Sequence, residues 1–113
     1  MNEPVLVFTT TNDESIARKI AVTLLQRRLC ACTQIISTVR SFYWWKGKIE
    51  EDNEFLLILK SDKSIFNKLS EVIREIHNYS VPEIVAIPVS NMGFEYRKWL
   101  YENLSIKEKD ENS

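Results

Sequence analysis

Residues 40–60 read Arg40-Ser41-Phe42-Tyr43-Trp44-Trp45-Lys46-Gly47-Lys48-Ile49-Glu50-Glu51-Asp52-Asn53-Glu54-Phe55-Leu56-Leu57-Ile58-Leu59-Lys60. Reading this stretch as one long hairpin decides the fold. Gly47 supplies the backbone freedom of a tight turn, so the turn is placed at Lys46-Gly47-Lys48. Val39 to Trp45 is rich in β-branched and aromatic residues, and Phe55 to Leu59 is continuously apolar. Both compositions favour strands.

The first arm extends back to Ala31. A straight strand from Ala31 to Trp45 would be about 50 Å long, more than an ordinary small domain contains. It therefore bends or projects. Its alternation also changes phase: Ile35, Ser37 and Val39 share one parity, whereas Phe42 and Trp44 share the other. A bulge near Arg40-Ser41 reconciles the two halves. Phe42, Tyr43, Trp44 and Trp45 then make both faces of the projecting ribbon aromatic, which points to an interface between copies of the chain. The plainer reading is an aromatic end to an ordinary hairpin core.

The chain has 113 residues, with 15 Lys and Arg against 16 Asp and Glu. That length fits one domain with a real core, placed at residues 1–104, followed by a flexible polar tail at 105–113. Near-neutral charge weighs against nucleic-acid binding, which needs a basic footprint. No apolar run is long enough to span a membrane. The N-terminal stretch lacks the basic region of a secretory signal. Cys30 and Cys32 face opposite ways in a strand, so they are expected as free thiols in a cytoplasmic protein.

Outward from the hairpin, Pro4 to Thr10 reads as a central strand, apolar on both faces. Asn12 is the expected cap of a first helix from Asp13 to Gln26 or Arg28, striped by Ile16, Ala17, Ile20, Ala21, Leu24 and Leu25. Ser61 or Asp62 caps a second helix with its own stripe from Ile65 to Ile76. His77 to Ser80 ends that helix, and Pro82 bars its continuation. Glu83 to Val89 is a further strand. A last helix turns Tyr96, Trp99, Leu100 and Leu104 inward, with Tyr101 left for an interface. The order β-α-β-β-α-β is a split βαβ, ferredoxin-like α+β plan with an added helix. Helices cover one sheet face, so Phe55 and Leu57 in the two-sided third strand, like the aromatic ribbon, call for a partner subunit.

Candidate chemistry rests on isolated residues. There is no phosphate loop, dinucleotide pattern or paired-histidine zinc motif, and no nucleophile–base pair that would mark an enzyme. His77, the one histidine, reads as a metal ligand or proton carrier, or as a helix-terminal hydrogen-bonding group, the default. Glu83 is a ligand candidate or an acceptor for Lys48 across a subunit boundary. Cys32 is a small buried hydrophobe or a soft donor for copper or zinc. Lys46, Lys48 and Lys60, beside Tyr79 or Trp45, offer an anion patch or simply solvate the hairpin.

At these residues the chain resembles the CutA divalent-cation tolerance family. The matching stretches are Arg28 to Cys32, Ser41 to Ile49 with its W-x-G-K turn, Glu54 to Lys60, His77 to Ile84 with its H-x-Y-x-x-P-E pattern, and Tyr96 to Leu100. They cover roughly residues 4–104. The resemblance implies a ferredoxin-like homotrimer joined through the hairpins, similar in architecture to PII signalling proteins. It implies copper or another divalent cation as ligand, with no obligatory cofactor, and a role in metal tolerance. His77, Glu83 and Cys32 are the carried-over metal candidates. Asn78 stands where the family usually has proline, and Thr9 where some members have cysteine, which removes one soft donor. The alternative is a trimeric scaffold or signalling protein that binds a small anion or a protein partner in clefts between subunits. Trp45, Lys48, Tyr79 and Glu83 would line those clefts, and Phe42, Tyr43, Trp44, Trp45, Phe55 and Leu57 would form the trimer interface.

Overall fold

The structure, a computed structural model, describes residues 2–106. Its first strand, β1 (Pro4–Thr11), leads into helix α1 (Glu14–Gln26). Asp13, not Asn12, caps α1: its Oδ1 accepts the Ser15 and Ile16 N–H groups at 2.9 and 3.3 Å. Asn12 sits one residue too early to reach them and instead accepts a hydrogen bond from Asn78. Ala17, Ile20, Ala21 and Leu24 form the buried stripe of α1, as its 3.6-residue period requires.

The hairpin follows as β2 (Cys32–Trp45) and β3 (Lys48–Asp62). Lys46 and Gly47 close it with φ of 50° and 78°, the positive pair that a two-residue turn of the hairpin hand demands. The bulge lies between Ile36 and Val39, at Ser37-Thr38, rather than at Arg40-Ser41. Ile36 pairs with Leu56 and Val39 with Glu54, so two residues of β2 face one of β3. Beyond it, Ser41, Tyr43 and Trp45 pair with Asp52, Glu50 and Lys48 and share their face, while Phe42 and Trp44 turn to the other.

After β3, a 3-10 turn (Lys63–Ile65) opens helix α2 (Phe66–Ile76), and Asp62 caps that turn through Ser64. Ser61 gives its hydroxyl to the Leu29 carbonyl instead. The last strand, β4 (Val85–Pro88), is shorter than expected, and Glu83 lies two residues ahead of it. Among the described residues, the strands form one antiparallel sheet in the order β2-β3-β1-β4. The apolar β1 and β3 are central, and this is the ferredoxin-like arrangement.

Helices α1 and α2 cover one face of the sheet. Val5, Val7, Leu57 and Leu59 from the sheet meet Ala17, Ile20, Leu24, Leu69, Val72 and Ile73 there. Leu57 is therefore fully buried within its own chain, while Phe55 packs at the edge of the same core. Each such leucine contributes about 2 kcal/mol by leaving water. The other face carries Leu6, Phe8, Ile36, Leu56, Ile58, Val85 and Ile87, placed together by the strand register. Ile36, Val85 and Ile87 remain exposed on it.

Helix α3 (Phe94–Glu102) packs at the end of the sheet where β1 begins. Its buried side chains are Leu100 and Tyr101, joined by Leu104, whereas Tyr96 and Trp99 lie near the surface. The expected phase is thus rotated by about one position. The reason is Asp62, whose Oδ1 accepts the Tyr101 hydroxyl at 2.6 Å inside the protein. Ser105 and Ile106 still belong to the folded unit, through the Ser105 N–H to Arg28 carbonyl bond and packing on the Leu100 cluster. The rest of the expected polar tail, 107–113, lies outside the described residues.

Candidate functional site

Three segments meet beside the base of the hairpin. The end of β1 supplies Thr10 and Asn12, the hairpin supplies residues 41–45 with Asp52 and Glu54, and the loop after α2 supplies residues 79–83. They enclose an open cleft of about 750 Å³. Aromatic rings form much of one wall, with Phe42 63% and Trp44 72% exposed. The charged side chains of the lining are carboxylates: Asp52, Glu54 and Glu83.

The sequence makes this geometry in two steps. Helix α2 ends at His77, whose extended φ and ψ of −64° and 145° turn the chain away from the helix. Then His77, Asn78 and Tyr79 each bond to a different point. The His77 Nε2 lies 2.8 Å from the Thr10 carbonyl oxygen. Asn78 donates to Asn12 and accepts from the Thr11 hydroxyl at 2.9 and 2.7 Å. The Tyr79 hydroxyl donates to Glu54 at 2.7 Å.

Glu54 is only 5% exposed. The burial of the Tyr79 phenol, then its bond to Glu54, push that hydroxyl well above its ordinary pKa, so it stays a donor. Glu83 stands at the open rim. Its carboxyl is also pushed upward, by desolvation against the cleft wall and then by the charge of Glu54. Tyr43 donates to Asp52 across the ribbon, and that bond, with lesser effects of nearby carboxylates, raises its pKa to about 12.

Of the four expected cleft residues, Trp45, Tyr79 and Glu83 converge here, and Lys48 does not enter the lining. Lys48 pairs with Trp45 across the turn and is exposed. The metal candidates separate within the chain. His77 contacts Thr10, which pairs with Leu56, whereas Cys32 pairs with Lys60. Those levels are four residue steps apart along β3, roughly 13 Å of strand. Both His77 ring nitrogens already face main-chain groups. Among the described residues, no three His, Cys, Asp or Glu side chains form a metal cage. One chain alone therefore does not fit a His77–Glu83–Cys32 metal centre. Cys30 is buried, and its thiol is pushed up to about 11, chiefly by burial; Cys32 is half-buried, and both are free.

Sequence reasoning did not single out Glu54, Asp52, Thr10 or Asn12 as cleft residues. The acidic cluster near the hairpin was visible, and the pairing from the turn puts Asp52 and Glu54 on the face of Tyr43 and Trp45, but only the folded sheet brings that face beside Thr10 and Asn12. Among the described residues, no helix is long and apolar enough to cross a membrane.

A family model described as CutA1 divalent ion tolerance protein matches residues 5–103. The divalent-cation tolerance protein CutA of Thermus thermophilus is 44% identical over 103 residues, spanning 91% of this chain and 98% of that relative. The solved structure of the Thermus thermophilus protein superposes with a TM-score of 0.87 at 42% identity, covering 93% of this chain and all of that one. The Pyrococcus horikoshii CutA is 45% identical over 98 residues, 87% of this chain and 95% of its own. An Archaeoglobus fulgidus CutA structure, described as a periplasmic divalent cation tolerance protein, is 33% identical with a TM-score of 0.85, covering 88% and 97%. These relatives are named for tolerance, not for an enzymatic reaction. The chain belongs to the CutA1 divalent ion tolerance family, and the family supports a role in metal tolerance.

Proposed function

We propose that this chain serves divalent-cation tolerance as a cytoplasmic homotrimer, and that the cleft beside the hairpin is where it engages its ligand. The carrying observation is the convergence of Trp45, Tyr79 and Glu83, with buried Glu54, on one concavity. Their charge suits a cationic occupant: a divalent cation, or a basic side chain of a protein partner. A small anion is the weaker choice, because Lys48 lies outside the lining.

Assembly rests on the apolar sheet face that α1 and α2 leave uncovered and on the exposed aromatics of the ribbon. Phe42, Tyr43, Trp44 and Trp45 are the proposed contacts, and Phe55 supports them from the core edge. Leu57 serves the fold of its own chain. The near-neutral charge gives no argument for nucleic acid as partner, and among the described residues no helix is long and apolar enough to argue for a membrane. A copper centre from Cys32, His77 and Glu83 is the second reading. It draws on the half-buried soft donor Cys32 and requires ligands from more than one chain.

Native mass spectra of the untagged protein, before and after chelation, test the proposal. A trimer that takes up Zn²⁺ or Cu²⁺ at subunit stoichiometry, and loses it in Glu54→Gln/Glu83→Gln, supports the cleft. Uptake lost in Cys32→Ser but kept in the double carboxylate variant favours the copper reading. A monodisperse monomer at micromolar concentration overturns the assembly.

A further inference from the structure

We propose that His77 is a positioning residue: a neutral imidazole clip that holds two walls of the cleft together, and not a ligand for its occupant. The inference deepens the cleft reading above and rests on it. A carbonyl oxygen can only accept, so the Nε2 that lies 2.8 Å from Thr10 carries the ring hydrogen. The Tyr79 N–H can only donate, and it meets Nδ1 at 3.0 Å, so Nδ1 is the bare nitrogen. One tautomer satisfies both bonds, and it leaves no lone pair for a metal. A second proton would set N–H against N–H at Tyr79. The half-buried ring also lies against Tyr79, with centroids 4.8 Å apart.

The position of the clip gives it a role beyond holding the helix end. Thr10 and Tyr79 both line the cleft, from different elements. His77 joins them directly. Tyr79, once placed, reaches Glu54 with its hydroxyl. Asn78 repeats the connection between the same two segments through Thr11 and Asn12. His77 thus acts on the carboxylates through Tyr79, and the cleft meets its ligand through oxygen atoms and aromatic faces.

Nitrogen NMR of the labelled, full-length protein tests this, with Zn²⁺ as the probe. The free protein should show the neutral ring with hydrogen on Nε2, and saturating Zn²⁺ should leave both His77 nitrogen signals in place. His77→Gln can still donate to Thr10 and accept from Tyr79. It should keep the slow hydrogen exchange of the Tyr79 amide, while His77→Ala should speed that exchange about fivefold or more. Hydrogen on Nδ1, a Zn²⁺-shifted ring nitrogen, or unchanged Tyr79 exchange in His77→Ala would each overturn the clip. If His77→Ala does not fold, the tautomer and Zn²⁺ measurements on the native protein still decide. Failure of the cleft reading shows separately, as a chelated trimer that carries no cleft occupant while the tautomer stands.

Discussion

Tyr79 donates its phenolic hydrogen to Glu54 across 2.7 Å, and that one bond fastens the loop after α2 to the base of the hairpin. Glu54 sits in β3, 25 residues earlier, and is nearly closed to water. Tyr79→Phe keeps the ring but strips this bond from a buried carboxylate. The expected cost is about 1 to 3 kcal/mol, read as a lower denaturant midpoint. Glu54→Gln keeps an acceptor for the phenol and should cost less. The reverse order would show that the carboxylate matters for something other than this bond.

The His77 clip should make stability depend on pH. Burial is the main cause that lowers the pKa of His77, against the opposing effects of Thr10 and Glu54. Its folded value therefore lies below its unfolded one, and the unfolded chain binds the proton more readily. The stabilisation is full above the unfolded pKa of about 6.5 and is lost as pH falls through the folded value. Denaturant midpoints should fall between pH 7 and 5 in the native protein. His77→Gln, which does not titrate there, should flatten that part of the profile.

Asp62 predicts a second, more acidic window. Its carboxylate accepts the Tyr101 hydroxyl, the Ser64 N–H and hydroxyl, and the Glu3 N–H. Burial raises its pKa, but these bonds together outweigh burial and hold it below the ordinary value. The resulting stability is complete above the unfolded pKa of about 3.9 and disappears as pH drops through the folded value. Asp62→Asn should cost about 2 to 3 kcal/mol near pH 7. The gap to the native protein should narrow below pH ~4 in thermal melts at one protein concentration.

Thr9 carries a stabilising substitution. Its side chain is fully buried opposite Leu57, and among the described residues its hydroxyl has no hydrogen-bond partner. Thr9→Val keeps the shape and removes the desolvated oxygen. A gain of about 1 kcal/mol is expected, and calorimetry should show a higher Tm. An unchanged or lower Tm would mean that the hydroxyl is satisfied in the assembled protein.

These cases show what the residues told in advance. The central strands were legible because Val5 to Phe8 and Phe55 to Leu59 are apolar at every position, which only a two-sided location explains. The Gly47 turn was legible because few residues accept its backbone. The bulge was legible as a phase change but not as a position, because Ile36 to Val39 and Arg40-Ser41 can all sit in a strand. Its place is set by the pairing of Val39 with Glu54, a contact made across the sheet. The phase of α3 was hidden for a similar reason. Tyr96, Trp99, Leu100 and Tyr101 spread apolar surface around the helix, and distant Asp62 selects Tyr101. The role of His77 depends on two main-chain groups, at Thr10 and Tyr79, that no side-chain pattern records.

The unbroken pairing from Val39–Glu54 to Trp45–Lys48 also limits how this ribbon can vary. The bulge at Ser37-Thr38 absorbs one extra residue of β2 ahead of that pairing. Deleting either residue would restore an unbroken ladder and leave every later pair, from Val39–Glu54 to Trp45–Lys48, on its present side. Adding one residue to each arm just beyond Val39 and Glu54 would instead bring Phe42 and Trp44 to the side of Glu54 and carry Tyr43 and Asp52 together to the other. Adding a matched pair to each arm beyond the bulge would extend the ribbon and keep the sides as they are. The reach of the hairpin can thus drift in even steps, whereas an odd step rewrites its chemistry.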